Sequence, residues 1–132
     1  MTAFVNPDDV HAPVGPYSHT AAVPPGTELV FTAGQVGMGV DGAVPASFAE
    51  QAELTFRNLR ACLVAHGLGM EAVVKLSVFV VPGQDLNALR QIRERAFGSH
   101  RPASTTVYVA ALAAPAFLVE VEAVAARPTA GR

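Results

Sequence analysis

Two stretches of this 132-residue chain place chemistry-bearing side chains at useful spacing. The first is Arg101-Pro102-Ala103-Ser104-Thr105-Thr106-Val107-Tyr108-Val109. Pro102 has no amide hydrogen for a ladder, so a strand is expected to start after it. From Ser104 the residues alternate. Ser104, Thr106 and Tyr108 share one face, and Val107 and Val109 share the other. A row of hydroxyls on one face suits the wall of a polar pocket, where Ser104 and Thr106 would touch a ligand. The same alternation also fits a half-buried strand whose hydroxyls face water. The second stretch is Phe117–Ala125, where Glu120 and Glu122 lie on one face, about 7 Å apart by strand geometry. Glu120 is a candidate general base for water, and Glu122 reads as structural or as part of a subunit interface.

Two further positions could touch a ligand. Tyr17 follows the turn dipeptide Gly15-Pro16, and such a ring can pack while its hydroxyl reaches a bound molecule. Gly34 ends a strand candidate at Leu29–Ala33, where a glycine lets a ligand approach the backbone closely. His19, His66 and His100 have no ligand spacing among them, so no metal is expected. His11 falls in what reads as a loose N-terminal tail. Cys62 has no partner in the chain and reads as a small core residue.

The elements that must position these groups follow from patterning. Ser18–Val23 is short and partly alternating, an edge strand. Ser47-Phe48-Ala49-Glu50 fits a capping box. A helix is expected from there to about His66, with Ala52, Phe56, Leu59 and Leu63 as its buried stripe and Gly67 as its stop. Ala72–Val81 carries apolar residues on both faces and reads as a central strand covered on both sides. A second helix should start at Asp85 and end at Gly98, burying Leu86, Leu89, Ile92, Ala96 and Phe97. The order β-β-α-β-α-β-β describes an α+β layer sandwich with helices on one face of a mixed sheet. About residues 12–126 form the ordered part of one domain spanning 1–132, and the ends, about 1–11 and 127–132, read as loose tails.

Composition narrows the function classes. Hydrophobic residues make up 51% and charged residues only 15%, which points to apolar surface covered by other subunits. The formal net charge is −2 and no run of Lys or Arg occurs, so no nucleic-acid footprint is expected. No stretch approaches the length of a membrane span, and the N-terminus lacks a basic-then-apolar signal. Cytoplasm is the expected location.

Five segments then coincide in order: Gly15-Pro16-Tyr17-Ser18, Phe31-Thr32-Ala33-Gly34-Gln35, Val74-Lys75-Leu76-Ser77-Val78-Phe79, Arg101-Pro102-Ala103-Ser104 and Val119-Glu120-Val121-Glu122-Ala123. In this register the chain resembles the Rid (YjgF-type) reactive-intermediate imine deaminases from about Ala12 to Ala126. The resemblance implies a chorismate-mutase-like fold, a homotrimer, and small-molecule pockets in clefts between subunits. It implies hydrolysis of 2-imino acids without a cofactor. Tyr17 and the Gly34 backbone would line the pocket, Glu120 would hold or activate water, and Thr106 takes a position often filled by cysteine or another small residue. The chain departs from the pattern at the arginine that clamps the substrate carboxylate, which is Ser104 here. Serine cannot make a two-pronged bond to a carboxylate. Losing a charge-assisted bond worth about 1.5–3 kcal/mol weakens such a substrate roughly ten- to a hundred-fold. Arg90 stands where many relatives have a pocket asparagine, and it could restore positive charge from another wall. Arg101, on the far side of Pro102, is expected in a loop away from the pocket.

The expected function is therefore hydrolysis of an imine, an enamine or a related metabolite other than the typical 2-imino acids. Two alternatives stand beside it. One is a trimer that binds a small metabolite without turning it over. The other is a typical 2-iminobutanoate/2-iminopropanoate deaminase in which Arg90 replaces the missing arginine.

Overall fold

The structure is a computed structural model that describes residues 1–128. Four strands form the spine of a mixed sheet, in the order β3 (Leu29–Phe31), β7 (Val119–Ala126), β5 (Val73–Val80), β6 (Ala103–Tyr108), and the two-residue β4 (Gln35–Val36) also pairs with β7. The β5–β6 pair is parallel, and β7 runs antiparallel to β3, β4 and β5. Helices α1 (Phe48–Val64) and α2 (Leu86–Phe97) pack on one face. This is the expected α+β architecture.

Helix α1 starts where its cap chemistry places it. The Ser47 hydroxyl accepts from the Glu50 amide at 3.1 Å, satisfying one of the donors that a helix start leaves free. Gly67, at φ +71°, ends the segment in the left-handed region that favours glycine. Ala52, Phe56, Leu59 and Leu63 are all buried. They meet the inward side chains of β5 and β7, among them Leu76, Val78, Val80, Val119 and Val121. Gln51 is also fully buried on this helix. Its amide donates to the Pro45 and Ala116 carbonyls, both at 2.8 Å, and its Oε1 accepts from the Leu118 amide at 3.0 Å. One side chain thus joins the loop before α1 to the approach of β7.

Helix α2 is capped by Asp85, which accepts from the Asn87 and Ala88 amides. Leu89, Ile92 and Phe97 are buried as expected, while Leu86 stands 37% exposed beside a cleft. The other sheet face is only half-covered: Lys75, Ser77 and Phe79 of β5 are partly exposed. The expected double coverage of β5 therefore holds on the helix face alone within one chain.

The largest departure is at the N-terminus. Ala3–Val5, expected as loose tail, forms β1 and pairs antiparallel with β2 (Thr20–Ala22) in a separate two-stranded sheet. The expected strand at Ser18–Val23 therefore exists in shortened form, paired with β1 rather than with the main sheet, which it meets only through a bridge from Ser18 to Ala103. Phe4 packs edge-on against His100, whose Nε2 lies 2.7 Å from the Val73 carbonyl. Phe4 thus anchors β1 to the body. Alternation over three residues is too short to separate such a strand from a tail. At the other end, Arg127 is ion-paired with Glu28 and donates to the His66 carbonyl at 2.8 Å. Residues 129–132 of the expected C-terminal tail lie outside the described residues.

Candidate functional site

A cleft of about 750 Å³ lies between α2, the Gly15–His19 loop and β6. The loop is held against the start of β6 by Ser18. Its amide donates to the Pro102 carbonyl at 3.0 Å, and its hydroxyl donates to the Arg101 carbonyl at 2.5 Å. In register, Ser104 and Thr106 pair with Leu76 and Val78, whose side chains are in the core, so the hydroxyl face of β6 points to the helix side. Tyr17, Arg90, Ser104 and Thr106 all line this cleft. The Tyr17 ring stands edge-on to His19, with centroids 5.5 Å apart, and its hydroxyl oxygen accepts from the Val14 amide at 3.3 Å. The Ser104 Oγ is buried and has no hydrogen-bond partner among the described residues. A buried hydroxyl in that state costs free energy until something pairs with it, which suits a group waiting for a ligand.

Gly34 and Glu120 are not in the cleft. They meet each other on the opposite side of the sheet. Glu120 pairs with Val36 and Phe79, while its neighbours Val119 and Val121 point into the core. A Cβ added at Gly34 would overlap the Glu120 carboxylate, with Glu120 Cδ only 2.7 Å away. Glycine is there so that the carboxylate can lie on the backbone. Among the described residues the Glu120 side chain has no hydrogen-bonding or ion-pair partner. Glu122 is exposed on the same side. Arg101 turns away, donating to the Gly98 carbonyl at 2.6 Å and approaching Glu94 at 3.9 Å.

One residue that the sequence reading did not single out stands in the cleft wall. Arg93 is 7% exposed, and its Nη2 donates to the Pro16 carbonyl at 3.1 Å. No carboxylate pairs with it among the described residues. Burial first, then repulsion from Arg101 and Arg90, pushes its pKa down to about 10. A signal was present in the spacing. Leu89, Arg93 and Phe97 fall at i, i+4 and i+8, which puts the arginine on the helix's buried stripe.

A family model described as endoribonuclease L-PSP matches residues 9–127. The chain belongs to this family, the Rid (YjgF-type) proteins. It is 34% identical over 114 residues to a 2-iminobutanoate/2-iminopropanoate deaminase from Dermatophagoides farinae, covering 85% of this chain and 86% of that one. Among solved structures it resembles YyfB of the Rid family from Yersinia pestis, with TM-score 0.85, 28% identity and coverage of 96% and 98%. It also resembles TdcF from E. coli solved with bound serine, with TM-score 0.71, 29% identity and coverage of 96% and 99%. The cleft of this Rid chain carries Ser104 on its β6 wall. The same cleft is lined by Lys75, Arg90, Arg93 and two histidines, with no Asp or Glu.

Proposed function

We propose that this Rid protein hydrolyses a small imine, enamine or related carbonyl-derived metabolite bound in the α2–β6 cleft. In this reading the protein works as a homotrimer, and Glu120 of a neighbouring copy completes each site. The observation that carries it is the split within one chain. The cleft holds groups that can grip a ligand, namely Tyr17, Ser104, Thr106 and Arg90, but no carboxylate to activate water. The free carboxylate, Glu120 on its Gly34 seat, lies across the sheet. A second copy that brings its Glu120 face to the first copy's β6 would join the two halves. Exposed apolar side chains on the outer strands support such packing: Phe31 is 71% exposed, Tyr108 56% and Val107 42%. The net charge of −2 gives no extended basic track for RNA, so nucleic acid is not the substrate in this reading.

Imine hydrolysis needs water added to the C=N carbon and a proton delivered to nitrogen as ammonia leaves. Glu120 would take a proton from water as it adds to carbon and pass it to the nitrogen, then carry the second proton from the resulting hydroxyl to the nitrogen as the carbonyl forms and ammonia leaves. Ser104 in place of the clamping arginine means that a carboxylate, if the substrate has one, is gripped from another wall. A second reading is a binder without turnover, favoured by the absence of any acid in the cleft of one chain.

The test is hydrolysis of freshly generated 2-iminopropanoate, 2-iminobutanoate and simple uncharged imines, followed by ammonia release. The natural protein is run beside Glu120→Gln and Ser104→Arg, with light scattering for assembly. The proposal expects a trimer, turnover of at least one imine, and at least a hundred-fold loss in Glu120→Gln. Ser104→Arg should gain rate on the 2-imino acids. Retained ligand binding with no turnover in any variant would establish the binder, and a monomer that still turns over would refute the shared site.

A further inference from the structure

We infer that Arg93 is the anion-holding group of this cleft, so that the ligand is a small carboxylate that enters with its charge toward α2 rather than toward β6. The inference rests on the reading of the cleft as the ligand pocket, and it identifies a residue and an orientation that this reading leaves open.

Three observations converge. First, Arg93 is a buried guanidinium whose hydrogen-bonding capacity is mostly unused. Among the described residues only Nη2 has a protein acceptor, the Pro16 carbonyl, and a guanidinium carries five N–H donors. A buried cation is normally matched by a carboxylate. Here the nearest acid is Glu94 on the same helix, which faces Arg101 instead. The other charged groups around Arg93 are Arg101 and Arg90, both of the same sign. Second, the cleft contains only cationic or neutral side chains. Arg90 is exposed at its mouth, and its Nη2 lies about 4 Å from where a Cβ on Gly15 would be. Lys75 is already engaged with the Thr105 hydroxyl at 3.1 Å. Third, the Ser104 hydroxyl opposite is buried without a partner. A carboxylate held by Arg93 would leave the body of the ligand against β6, where this hydroxyl can bond a polar atom of it.

A purely structural role is the competing account: Arg93 would only brace α2 against the Gly15-Pro16 turn. That role uses one hydrogen and leaves the charge unmatched. An anion uses the rest and neutralises it. The planar fork favours carboxylate geometry, gripped in two-pronged fashion.

The experiment is calorimetric titration of the full chain with 2-oxobutanoate, its uncharged amide 2-oxobutanamide, and inorganic phosphate. The expected result is that the acid binds at least ten-fold tighter than the amide. Arg93→Met should lose ten- to a hundred-fold for the acid and little for the amide. Arg93→Lys, which keeps charge but not the fork, should fall between. Ser104→Ala should weaken acid and amide alike by a few-fold. Circular dichroism and light scattering establish that each variant is folded and assembled as the parent. Equal binding of acid and amide by the natural protein overturns the proposal without any variant, as does failure of all three probes to bind. Unchanged acid binding in folded Arg93→Met overturns it as well. The two readings separate cleanly. Acid binding that depends on Arg93 without imine turnover leaves this inference standing and removes the hydrolase, whereas imine turnover indifferent to Arg93 does the reverse.

Discussion

Replacing Arg93 by methionine should make the unliganded protein more stable, which is unusual for a change at a buried position. The guanidinium is 7% exposed and its pKa is pushed down to about 10 by burial and by Arg101 and Arg90. At about 1.36 kcal/mol per pH unit, that depression corresponds to roughly 3 kcal/mol of cost for keeping the charge in the fold. Against this stands the hydrogen bond to the Pro16 carbonyl, whose loss costs about 1–2 kcal/mol. Methionine fills much of the same space and adapts its shape. The balance favours the variant by about 1–2 kcal/mol. With an unfolding entropy of about 2.1 cal/mol/K per residue, a chain of 132 residues gains roughly 4–7 °C in Tm. The sign against pH follows from the charge. Below about pH 10 the arginine is protonated folded and unfolded, so the penalty is fully present; it fades only as the folded form loses its proton above that. The gap between variant and parent should therefore be flat from pH 6 to 9. Calorimetric melting at matched protein concentration, in a buffer free of phosphate and small carboxylates, measures it. A Tm lowered by several degrees would refute the reasoning and make Arg93 a brace for the Gly15-Pro16 turn.

Two further outcomes test other parts of the structure. Gly34→Ala forces the Glu120 carboxylate off its seat, because the new Cβ would overlap it. The flexible end of that side chain can move, so stability should change by less than about 1 kcal/mol, while imine turnover falls at least ten-fold. A stability loss with unchanged turnover would dissociate the pair from function. Gln51→Leu strands the Leu118 amide and the Pro45 and Ala116 carbonyls. At about 1–3 kcal/mol for each buried group left unpaired, denaturant titration should show a loss of at least 3 kcal/mol. A loss under 1 kcal/mol would mean that water replaces the amide.

What could be read from the residues depended on how local its cause is. Helix α1 was legible because a cap, a stripe at helical spacing and a glycine stop all lie within about twenty residues. Strand β5 announced itself by apolar residues on both faces, interrupted only by Lys75 and Ser77. The pairing of β1 with β2 rests on three residues at each end of a long loop, and β4 on two, too short for any period to show. That Tyr17, Ser104 and Thr106 share one cleft was expected from alternation and family register, whereas the side Arg90 faces was not legible until α2 was placed. The separation of Glu120 from that cleft was in the alternation too. Glu120 and Ser104 fall on opposite faces once β5 lies between their strands, but only the observed register fixes this. Arg93 escaped because a charged residue on a helix is expected to face water, and its place on the buried stripe was outweighed by its type.

The order of the sheet has a consequence for how the chain comes to be folded. Strand β7 comes after β3, β5 and β6 in chain order, yet it lies between β3 and β5. Until Val119–Ala126 emerges from the ribosome, β3 and β5 have no partner on the sides that meet in the finished sheet. Helix α1 likewise lacks much of the surface it packs on. The growing chain therefore carries its greasy stripes exposed until β7 is made, a state prone to sticking to its like. The sheet closes only once β7 is in place, and truncations that remove β7 should yield insoluble product rather than a smaller folded core.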